Sequence, residues 1–396
     1  MSRRQTTALI VGMSLGALTA VGVTQAIGSA STRAEVRTLS VRQATGSAKG
    51  LFVAAGHLQG DRSATLAATA SSPLSGWIAP VAVPTADGSG LVYSTWRQLR
   101  QVNPTLSWSK QGIKTGDPLG TPTLWIHDFG SGRDKVIDSN SFSAAARADG
   151  TIAYVRGAGP YRAFTDYAGD IVVRSSVSAR PVVWSARPAY YVVAAWAGQT
   201  LLAYRVGEGE QLDVLALDGP GRQRLLMAHA SLVAVSPDGS QAFLASDADV
   251  PGSVSVVNVA DGTIARTLEL GSLDQGILWA AYGGSWSGDV VAAPTNSGIA
   301  VFDVGGEAIS LKELLKADPN TFADGIIEPQ FSGDTEHVVA RGDTPAGKDA
   351  PAGDEGSTPL DCDLATATCV AGATRPGHDW LHPAYNPSRP LKGGVS

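Results

Sequence analysis

Turn signals recur along the chain at a nearly constant interval, and this period constrains the fold more than any other feature of the sequence. Each signal places a Gly between two apolar runs, a pattern typical of a β-hairpin because Gly accepts a positive φ without a Cβ clash. The glycines are Gly88, Gly150, Gly198, Gly239, Gly288 and Gly333. After a first interval of 62 residues they lie 41 to 49 residues apart, close to the roughly 40–50 residues of a propeller blade.

A second hairpin signal follows each first one, so that every repeat supplies four strands. The clearest second hairpin joins the apolar runs at 254–257 and 264–268. Four strands make one blade, and the sequence therefore predicts an all-β fold, a β-propeller of six four-stranded blades over residues 51–374. A further hairpin signal at 51–69 leaves a seventh blade as the alternative. Residues 375–396 are predicted to be a C-terminal tail with no clear strand partner.

One repeat resembles those of TolB-like and YVTN-type (WD40-like) β-propeller proteins. It contains Ser236–Gly239, which matches the Ser-Pro-Asp-Gly turn of their first hairpin, and Val254–Leu268, which is similar to their V-x-V-x-D-x-x-x-G run. The other five repeats share only turn position and strand spacing, and Trp196 and Trp286 stand where the pattern has Ser-Pro. The resemblance implies the fold of an exported bacterial propeller. It implies no activity, since propellers support binding, scaffolding and catalysis alike.

Composition narrows the class of protein further. The chain of 396 residues contains 46 Gly and 22 Pro, which interrupt almost every window long enough for a helix. Hydrophobic residues make up 43% of the chain, so it can bury a core and general disorder is excluded. The net charge of −6 argues against a nucleic-acid partner, because phosphate contacts require clustered Lys and Arg.

Residues 1–30 are predicted to be an export signal that forms a hydrophobic leader helix. Arg3 and Arg4 supply its positive end, and Thr6–Ala30 contains no charged residue, a pattern that directs the following chain out of the cytoplasm. Small residues near position 30 fit a signal-peptidase site, but about 25 uncharged residues can also span a bilayer. A cleaved signal peptide and a retained membrane anchor are both open. We expect the remainder to be secreted or held at the outer face of the cytoplasmic membrane, with residues 31–50 as a linker.

Cys362 and Cys369 are the two cysteines of the chain. In an exported protein a lone pair predicts a disulfide rather than a metal site, which would need further ligands nearby. The segment between them favours a hairpin turn, which places the two cysteines opposite each other and within disulfide reach. The pair takes the place of an apolar cross-strand pair with the same spacing in earlier repeats, such as Phe302 with Ile309.

Residues 97–122 interrupt the regular spacing and are the candidate ligand loop. Long loops on rigid scaffolds often carry recognition, and this segment is basic and contains Trp. The candidate ligand residues are Trp96, Arg97, Arg100, Trp108, Lys110 and Lys114.

The sequence contains no recognisable catalytic motif. Gly284–Gly288 has Trp286 where a nucleophile elbow requires Ser. His378 and His382 have the spacing of two metal ligands on a helix, but nearby prolines leave little room for one. We therefore predict no catalytic residue, no metal site and no cofactor.

These observations favour a non-catalytic, extracytoplasmic β-propeller that binds a protein, a peptide or a cell-envelope component through one face. The alternative is an enzyme of the lactonase or quinoprotein type, with side chains from several blades meeting in the central channel. Such residues are dispersed along a sequence, so motifs do not detect them. A third hypothesis is a structural or sensory ectodomain tethered by an uncleaved leader.

Overall fold

A computed structural model of the chain describes residues 35–43, 51–54, 57–60, 77–84, 90–96, 98–101, 116–119, 122–128, 131, 133–158, 168–207, 212–246, 252–270, 283–295, 298–317, 326–331, 334–343, 357–371 and 378–381. These ranges contain β-strands and their connections, which confirms the predicted all-β class. Within them, no helix is long and apolar enough to cross a membrane. The predicted leader at residues 1–30 lies outside the described residues.

The N-terminal part contributes ten strands. They are β1 (Glu35–Thr38), β2 (Ser40–Gln43), β3 (Leu51–Ala54), β4 (His57–Gly60), β5 (Trp77–Pro84), β6 (Gly90–Trp96), β7 (Gln98–Gln101), β8 (Gly116–Leu119), β9 (Thr123–Asp128) and β10 (Arg133–Ser139). Strands β5, β6, β9 and β10 form sheet 1, and β7 and β8 form a separate hairpin between β6 and β9.

The following strands form sheets 2 to 6 in chain order. Sheet 2 contains β11 (Ser141–Ala146), β12 (Ile152–Gly157), β13 (Gly169–Arg174) and β14 (Val182–Val183), and sheet 3 contains β15 (Tyr191–Ala197), β16 (Thr200–Val206), β17 (Leu212–Gly219) and β18 (Arg222–Met227). Sheet 4 contains β19 (Ala230–Val235), β20 (Gln241–Ser246), β21 (Ser253–Asn258) and β22 (Ile264–Glu269). Sheet 5 contains β23 (Ser285–Ser287), β24 (Val290–Thr295), β25 (Gly298–Asp303) and β26 (Ser310–Lys316), and sheet 6 contains β27 (Ile326–Phe331), β28 (His337–Asp343), β29 (Ser357–Asp363) and β30 (Thr368–Ala371). The last strand is β31 (His378–Leu381).

Each of the six sheets is a four-stranded antiparallel meander in sequence order, and the pair Thr295–Ile326 joins sheet 5 to sheet 6. The first strand of each sheet lies beside the first strand of the next sheet. This is the strand arrangement of propeller blades. All six predicted first hairpins are confirmed, because the first two strands of each sheet pair antiparallel.

The apolar core lies between consecutive sheets. Its clusters combine Leu124 with Tyr154, Val155 with Leu201, Leu202 with Ala242, Phe243 with Phe302, and Ile299 with Val338. Middle strands such as β20 are apolar at their central residues, 242–245 in β20, because neighbouring sheets cover both of their faces. Outer strands such as β22 keep most of their residues exposed. The candidate site described below lies between sheets 4 and 5.

The turn glycines have the backbone conformation that the sequence predicted. Gly150, Gly198, Gly239 and Gly288 have φ values of 85°, 58°, 74° and 53°. At Gly239 an added Cβ would also collide with the backbone nitrogen of Gly198. The first turns of sheets 3 and 4 thus pack backbone against backbone.

We expect Gly239→Ala to lower the free energy of unfolding by about 2 kcal/mol, because it combines left-handed strain with this collision. Gly150→Ala is the matched control: its φ is also positive, at 85°, but nothing lies within 4 Å of an added Cβ, so we expect a loss of about 1 kcal/mol. Urea-induced unfolding of both variants measures the difference. Equal losses would contradict the close packing of the two turns.

Strands also form in three segments for which the sequence analysis indicated none. Within the predicted ligand loop at 97–122, β7 pairs with β8. Within the predicted linker at 31–50, β1 and β2 add in parallel to the outer strands of sheets 5 and 6, β26 and β30. Within the predicted tail at 375–396, β31 pairs with β3, which also pairs with β4. The expectation that the tail has no strand partner is therefore wrong, because its partner lies near the other end of the chain and no local pattern reports it.

The two cysteines are direct cross-strand partners in β29 and β30 and form a disulfide, as predicted. Both are fully buried in the cluster between sheets 5 and 6. The proposed equivalent pair in sheet 5 is different: Phe302 lies opposite Leu311 rather than Ile309, because the turn between Asp303 and Ser310 is two residues longer than the turn between Asp363 and Thr368. Equal sequence spacing does not establish equal register where the turns differ in length.

Candidate functional site

The structure describes little of the predicted ligand loop. Trp96 is the last residue of β6 and Arg100 lies in β7. The other candidate ligand residues, Arg97, Trp108, Lys110 and Lys114, lie outside the described residues. Their grouping into a ligand-binding loop stays a prediction.

A polar cleft of about 350 Å³ lies between sheets 4 and 5. Its walls come from the first turn of sheet 4 (between β19 and β20), two turns of sheet 5, and the outer strand β22. We call the connection between β23 and β24 the first turn of sheet 5, and the connection between β25 and β26, in its second hairpin, the second turn. The residues on which its chemistry depends are Asp238, Ser240, Gln241, Arg266, Trp286 and Asp289. The cleft thus lies at the ends of the strands, where the turns of the two sheets meet.

The first turn of sheet 4 fixes the carboxylate of Asp238 at the cleft. Oδ1 accepts hydrogen bonds from the hydroxyl of Ser236 (2.7 Å) and from the backbone N–H of Ser240 (3.0 Å). The backbone N–H of Gln241 in turn donates to Ser236 Oγ (2.9 Å). The hydrogen bonds from Ser240 and Ser236 hold the pKa of Asp238 below its usual value. This exposed side chain is therefore an anion at neutral pH.

Sheet 5 supplies the opposite wall. The backbone oxygen of Asp289 accepts a hydrogen bond from the N–H of Val304 (2.8 Å), which connects the first and second turns of the sheet. A Cβ at Gly305 would collide with the Asp289 side chain, so the glycine makes room for that carboxylate. Trp286 is only 4% exposed and its indole N–H donates to the carbonyl of Gly288 (2.8 Å). Trp286 therefore forms an apolar wall with its own polar atom satisfied.

Arg266 extends from β22 across to sheet 5. Its guanidinium donates to the carbonyls of Val304 and Gly306, the latter at 2.6 Å, and contacts Gln241 Oε1 at 3.4 Å. These bonds tie the outer strand of sheet 4 to the second turn of sheet 5. The cleft thus contains two exposed carboxylates, Asp238 and Asp289, and one cation, Arg266, whose donors already bind backbone oxygens. This balance makes the cleft more suitable for a cationic ligand than for an anionic one.

A related guanidinium joins sheets 3 and 4 and another joins sheets 5 and 6. Arg224 on β18 donates to the carbonyl of Val259 and to Asp218. Between sheets 5 and 6 the outer strand β26 carries Glu313 at the equivalent place, and Arg37 from β1 forms an ion pair with it. Arg37 then donates to the carbonyls of Leu364 (3.3 Å) and Ala365 (2.9 Å) in sheet 6. We call these three arginines the inter-sheet clasps.

A carboxylate between sheets 1 and 2 also has a perturbed pKa. Burial acts to raise the pKa of Asp138, but hydrogen bonds from Tyr154 (2.6 Å) and Arg156, together with the charge of Arg174, outweigh it and lower the pKa. All partners of this carboxylate are structural groups of the two sheets. In the described part of the chain, no three His, Cys, Asp or Glu residues are grouped so that they could hold a metal ion.

Sequence analysis singled out the Asp238 turn as a hairpin but not as part of a site. Arg266 and Asp289 were missed as functional residues altogether. The partners of Arg266 belong to the next repeat, so no spacing within one repeat reports the contact. The tryptophan at 286, which replaces the Ser-Pro of the repeat pattern, was the available signal, since it departs from the pattern where it lines the cleft.

No protein-family model matches the sequence, and no curated protein is significantly similar to it. Among solved structures, the chain is similar to a protein identified as TolB in Agrobacterium tumefaciens, with 12% identity, a TM-score of 0.40 and coverage of 65% of this chain and 90% of that one. It is also similar to TolB from Acinetobacter baumannii (16% identity, TM-score 0.38, 77% and 82% covered) and to the β-propeller domain of the Trilobed protease from Pyrococcus furiosus (11% identity, TM-score 0.43, 77% and 82% covered). These likenesses agree with the strand topology described above, and it is that topology on which the assignment of propeller-type sheets rests.

Proposed function

We propose that the protein is an extracytoplasmic, non-catalytic β-propeller that binds a segment of a partner protein or peptide in the cleft between sheets 4 and 5. The observation that carries the proposal is the pair of exposed carboxylates, Asp238 and Asp289, on opposite walls of a cleft backed by Trp286. Such an arrangement can bind and orient a cationic ligand. A volume of about 350 Å³ accommodates one long side chain and its flanking backbone.

The chemistry of the cleft favours a segment that presents Lys or Arg. A cationic side chain between Asp238 and Asp289 would pair with both, and its aliphatic stem would pack on Trp286. Ser240 and Gln241 add hydroxyl and amide groups that can hydrogen-bond to the backbone of the segment. The protein would therefore recognise a basic residue in an extended polypeptide.

Two further features of the proposal concern compartment and architecture. The Cys362–Cys369 disulfide supports an extracytoplasmic location, because disulfides persist in oxidising compartments. We infer that the three-stranded sheet of β31, β3 and β4 acts as an incomplete seventh blade rather than as part of a six-bladed ring. In support of this, β31 lies beside β5 of sheet 1 and beside β29 of sheet 6.

The test is selection of random peptides displayed on phage against the purified protein, followed by titration of the enriched peptides by calorimetry. We expect enriched peptides to share a Lys or Arg, and we expect Asp238→Asn with Asp289→Asn to weaken their binding about tenfold, as two partly exposed ion pairs would. Asn keeps the oxygen that accepts the turn hydrogen bonds. Because the pKa of Asp238 is held below its usual value of about 3.9, the contribution of this carboxylate to binding should be retained as the pH falls from 8 to 5 and be lost only at more acid pH.

Asp261→Asn is the matched control. Asp261 is an exposed turn carboxylate of sheet 4 that accepts a hydrogen bond from Thr263 (2.7 Å), and it lies outside the cleft. An equal loss of binding in this control, or a selection that enriches no basic peptide, would contradict the proposal. Turnover of a lactone or a quinone-linked alcohol by the purified protein would instead support the enzymatic alternative.

A further inference from the structure

The outer edges of sheets 5 and 6 each carry an additional strand from the N-terminal segment of the chain. Strand β1 pairs in parallel with β26, with Glu35 opposite Glu313 and Arg37 opposite Leu315. With β1 in place, Glu313 is 9% exposed and Leu315 is fully buried. The outer strands of these sheets therefore accept a parallel strand, and the addition removes their side chains from solvent.

The outer strand of sheet 4, β22, has the same position in its sheet, but no described strand pairs with its outer edge. Ile264 is 56% exposed, and Ala265, Thr267 and Glu269 are exposed as well. An edge strand with free backbone groups and an exposed apolar side chain is a template for an added strand. Strand addition to such edges is a common mode of peptide recognition.

The charges of β22 are the inverse of those of β26. Comparison of the strand registers places Arg266 where β26 has Glu313, and Glu269 where β26 has Lys316. Beside β26, the charge of Glu313 is matched by Arg37 of the added strand. A strand that complements β22 in the same way must carry a carboxylate at the position of Arg37.

Arg266 donates to sheet 5, but among the described residues it has no anion of the kind that its counterparts have. The clasp Arg224 pairs with Asp218, and the clasp Arg37 pairs with Glu313. Arg266 binds the carbonyls of Val304 and Gly306, and in the part of the chain that the structure describes it forms no ion pair with a carboxylate. The missing partner is the group that an incoming strand would supply.

We propose that the outer edge of β22 binds an extended segment of another protein as a parallel fifth strand, with an Asp or Glu of that segment paired to Arg266. The N-terminal segment of a second copy of this chain is a poor occupant, because it would place Arg37 beside Arg266 and thereby offset the charge of Glu35, which would lie opposite Arg266. This surface shares Arg266 with one wall of the cleft, but it is the outer edge of β22, and the proposal does not depend on peptide binding in the cleft.

Two synthetic peptides test the proposal by hydrogen exchange of the full chain, read by mass spectrometry. Both have the sequence of residues 34–43 with Glu35→Thr, and one also carries Arg37→Glu, so that they differ in charge only at the decisive position. We expect the Arg37→Glu peptide to slow exchange of the backbone amides of 264–269 and to bind at least fivefold more tightly there than its partner peptide. The protein variant Arg266→Glu should reverse this preference.

The variant Arg266→Gln is the control in case the Arg266→Glu variant does not fold. Gln keeps a donor for the carbonyls of sheet 5, so it should abolish the preference between the two peptides while the thermal unfolding midpoint is retained. Unchanged exchange at 264–269 with the Arg37→Glu peptide at 1 mM, or equal protection by both peptides, would overturn the proposal. Self-association of the protein that Arg266→Glu abolishes would also overturn it, since the occupant would then be a second copy.

Discussion

Replacing Arg37 by Ala should lower the free energy of unfolding by about 3 kcal/mol, and adding Glu313→Arg to that variant should recover most of the loss. Arg37 is the cation beside Glu313, whose side chain is 12% exposed. Removal of one partner of a largely buried ion pair leaves an uncompensated charge and costs about 3–5 kcal/mol. We take the lower end because the Arg37 side chain is 28% exposed and solvent screens part of the interaction.

The rescue follows from the other two clasps. Arg224 and Arg266 reach the next sheet from the outer strand itself, without help from the N-terminal segment. An arginine at position 313 would hold the same place on β26 and would donate to the carbonyls of Leu364 and Ala365, which Arg37 now serves. It would also remove the buried carboxylate that Arg37→Ala leaves without a partner.

Urea-induced unfolding of the wild type, Arg37→Ala and Arg37→Ala with Glu313→Arg measures both effects. Arg133→Ala is the control, since Arg133 is an exposed arginine on β10 and its loss should change stability by less than about 0.5 kcal/mol. A double variant no more stable than Arg37→Ala would show that the three clasps are not equivalent. A loss in Arg37→Ala as small as in the control would show that β1 contributes little to holding sheets 5 and 6.

Removal of the Cys362–Cys369 disulfide should lower the free energy of unfolding by about 2–3 kcal/mol. The cross-link closes a loop of seven residue steps, and its effect on the entropy of the unfolded chain is about 2.5 kcal/mol in the chain-entropy description. The best variant is Cys362→Val with Cys369→Val, because both positions are fully buried and Val keeps them apolar. The corresponding pair in sheet 5, Phe302 and Leu311, is apolar as well.

Reduction separates the cross-link from packing. Dithiothreitol should lower the stability of the wild type to about that of the double Val variant and leave the variant itself unchanged. If the variant matched the oxidised wild type in urea, the cross-link would contribute nothing and packing alone would hold this hairpin together. A loss well above about 3 kcal/mol would mean that Val packs poorly between sheets 5 and 6.

Local features of the fold were predictable because their causes lie within a few residues of sequence. The positive φ of Gly239 follows from the Asp-Gly turn that contains it. The opposition of Cys362 and Cys369 follows from one short hairpin. The register of Phe302 was not predictable in the same way, because it depends on the length of the turn between Asp303 and Ser310, which spacing alone does not reveal.

The candidate site was predictable only in part. The turn at Asp238 was evident, but its role in a cleft depends on Asp289 and Trp286 in the following sheet. The segment favoured as a ligand loop, residues 97–122, was chosen for its composition, and its role stays a prediction. A binding site built from two repeats has no signature within either repeat.

The sequence by itself determined that the chain folds into successive four-stranded antiparallel sheets joined by tight turns and that its two cysteines meet across a hairpin. Only the tertiary structure decided that β1 and β2 extend sheets 5 and 6, that β31 joins β3, and where Arg266 and Arg37 place their charges. The reason is physical. Turn and strand preferences act between residues close in sequence, whereas edge pairing and inter-sheet ion pairs depend on which surfaces the packed sheets leave available.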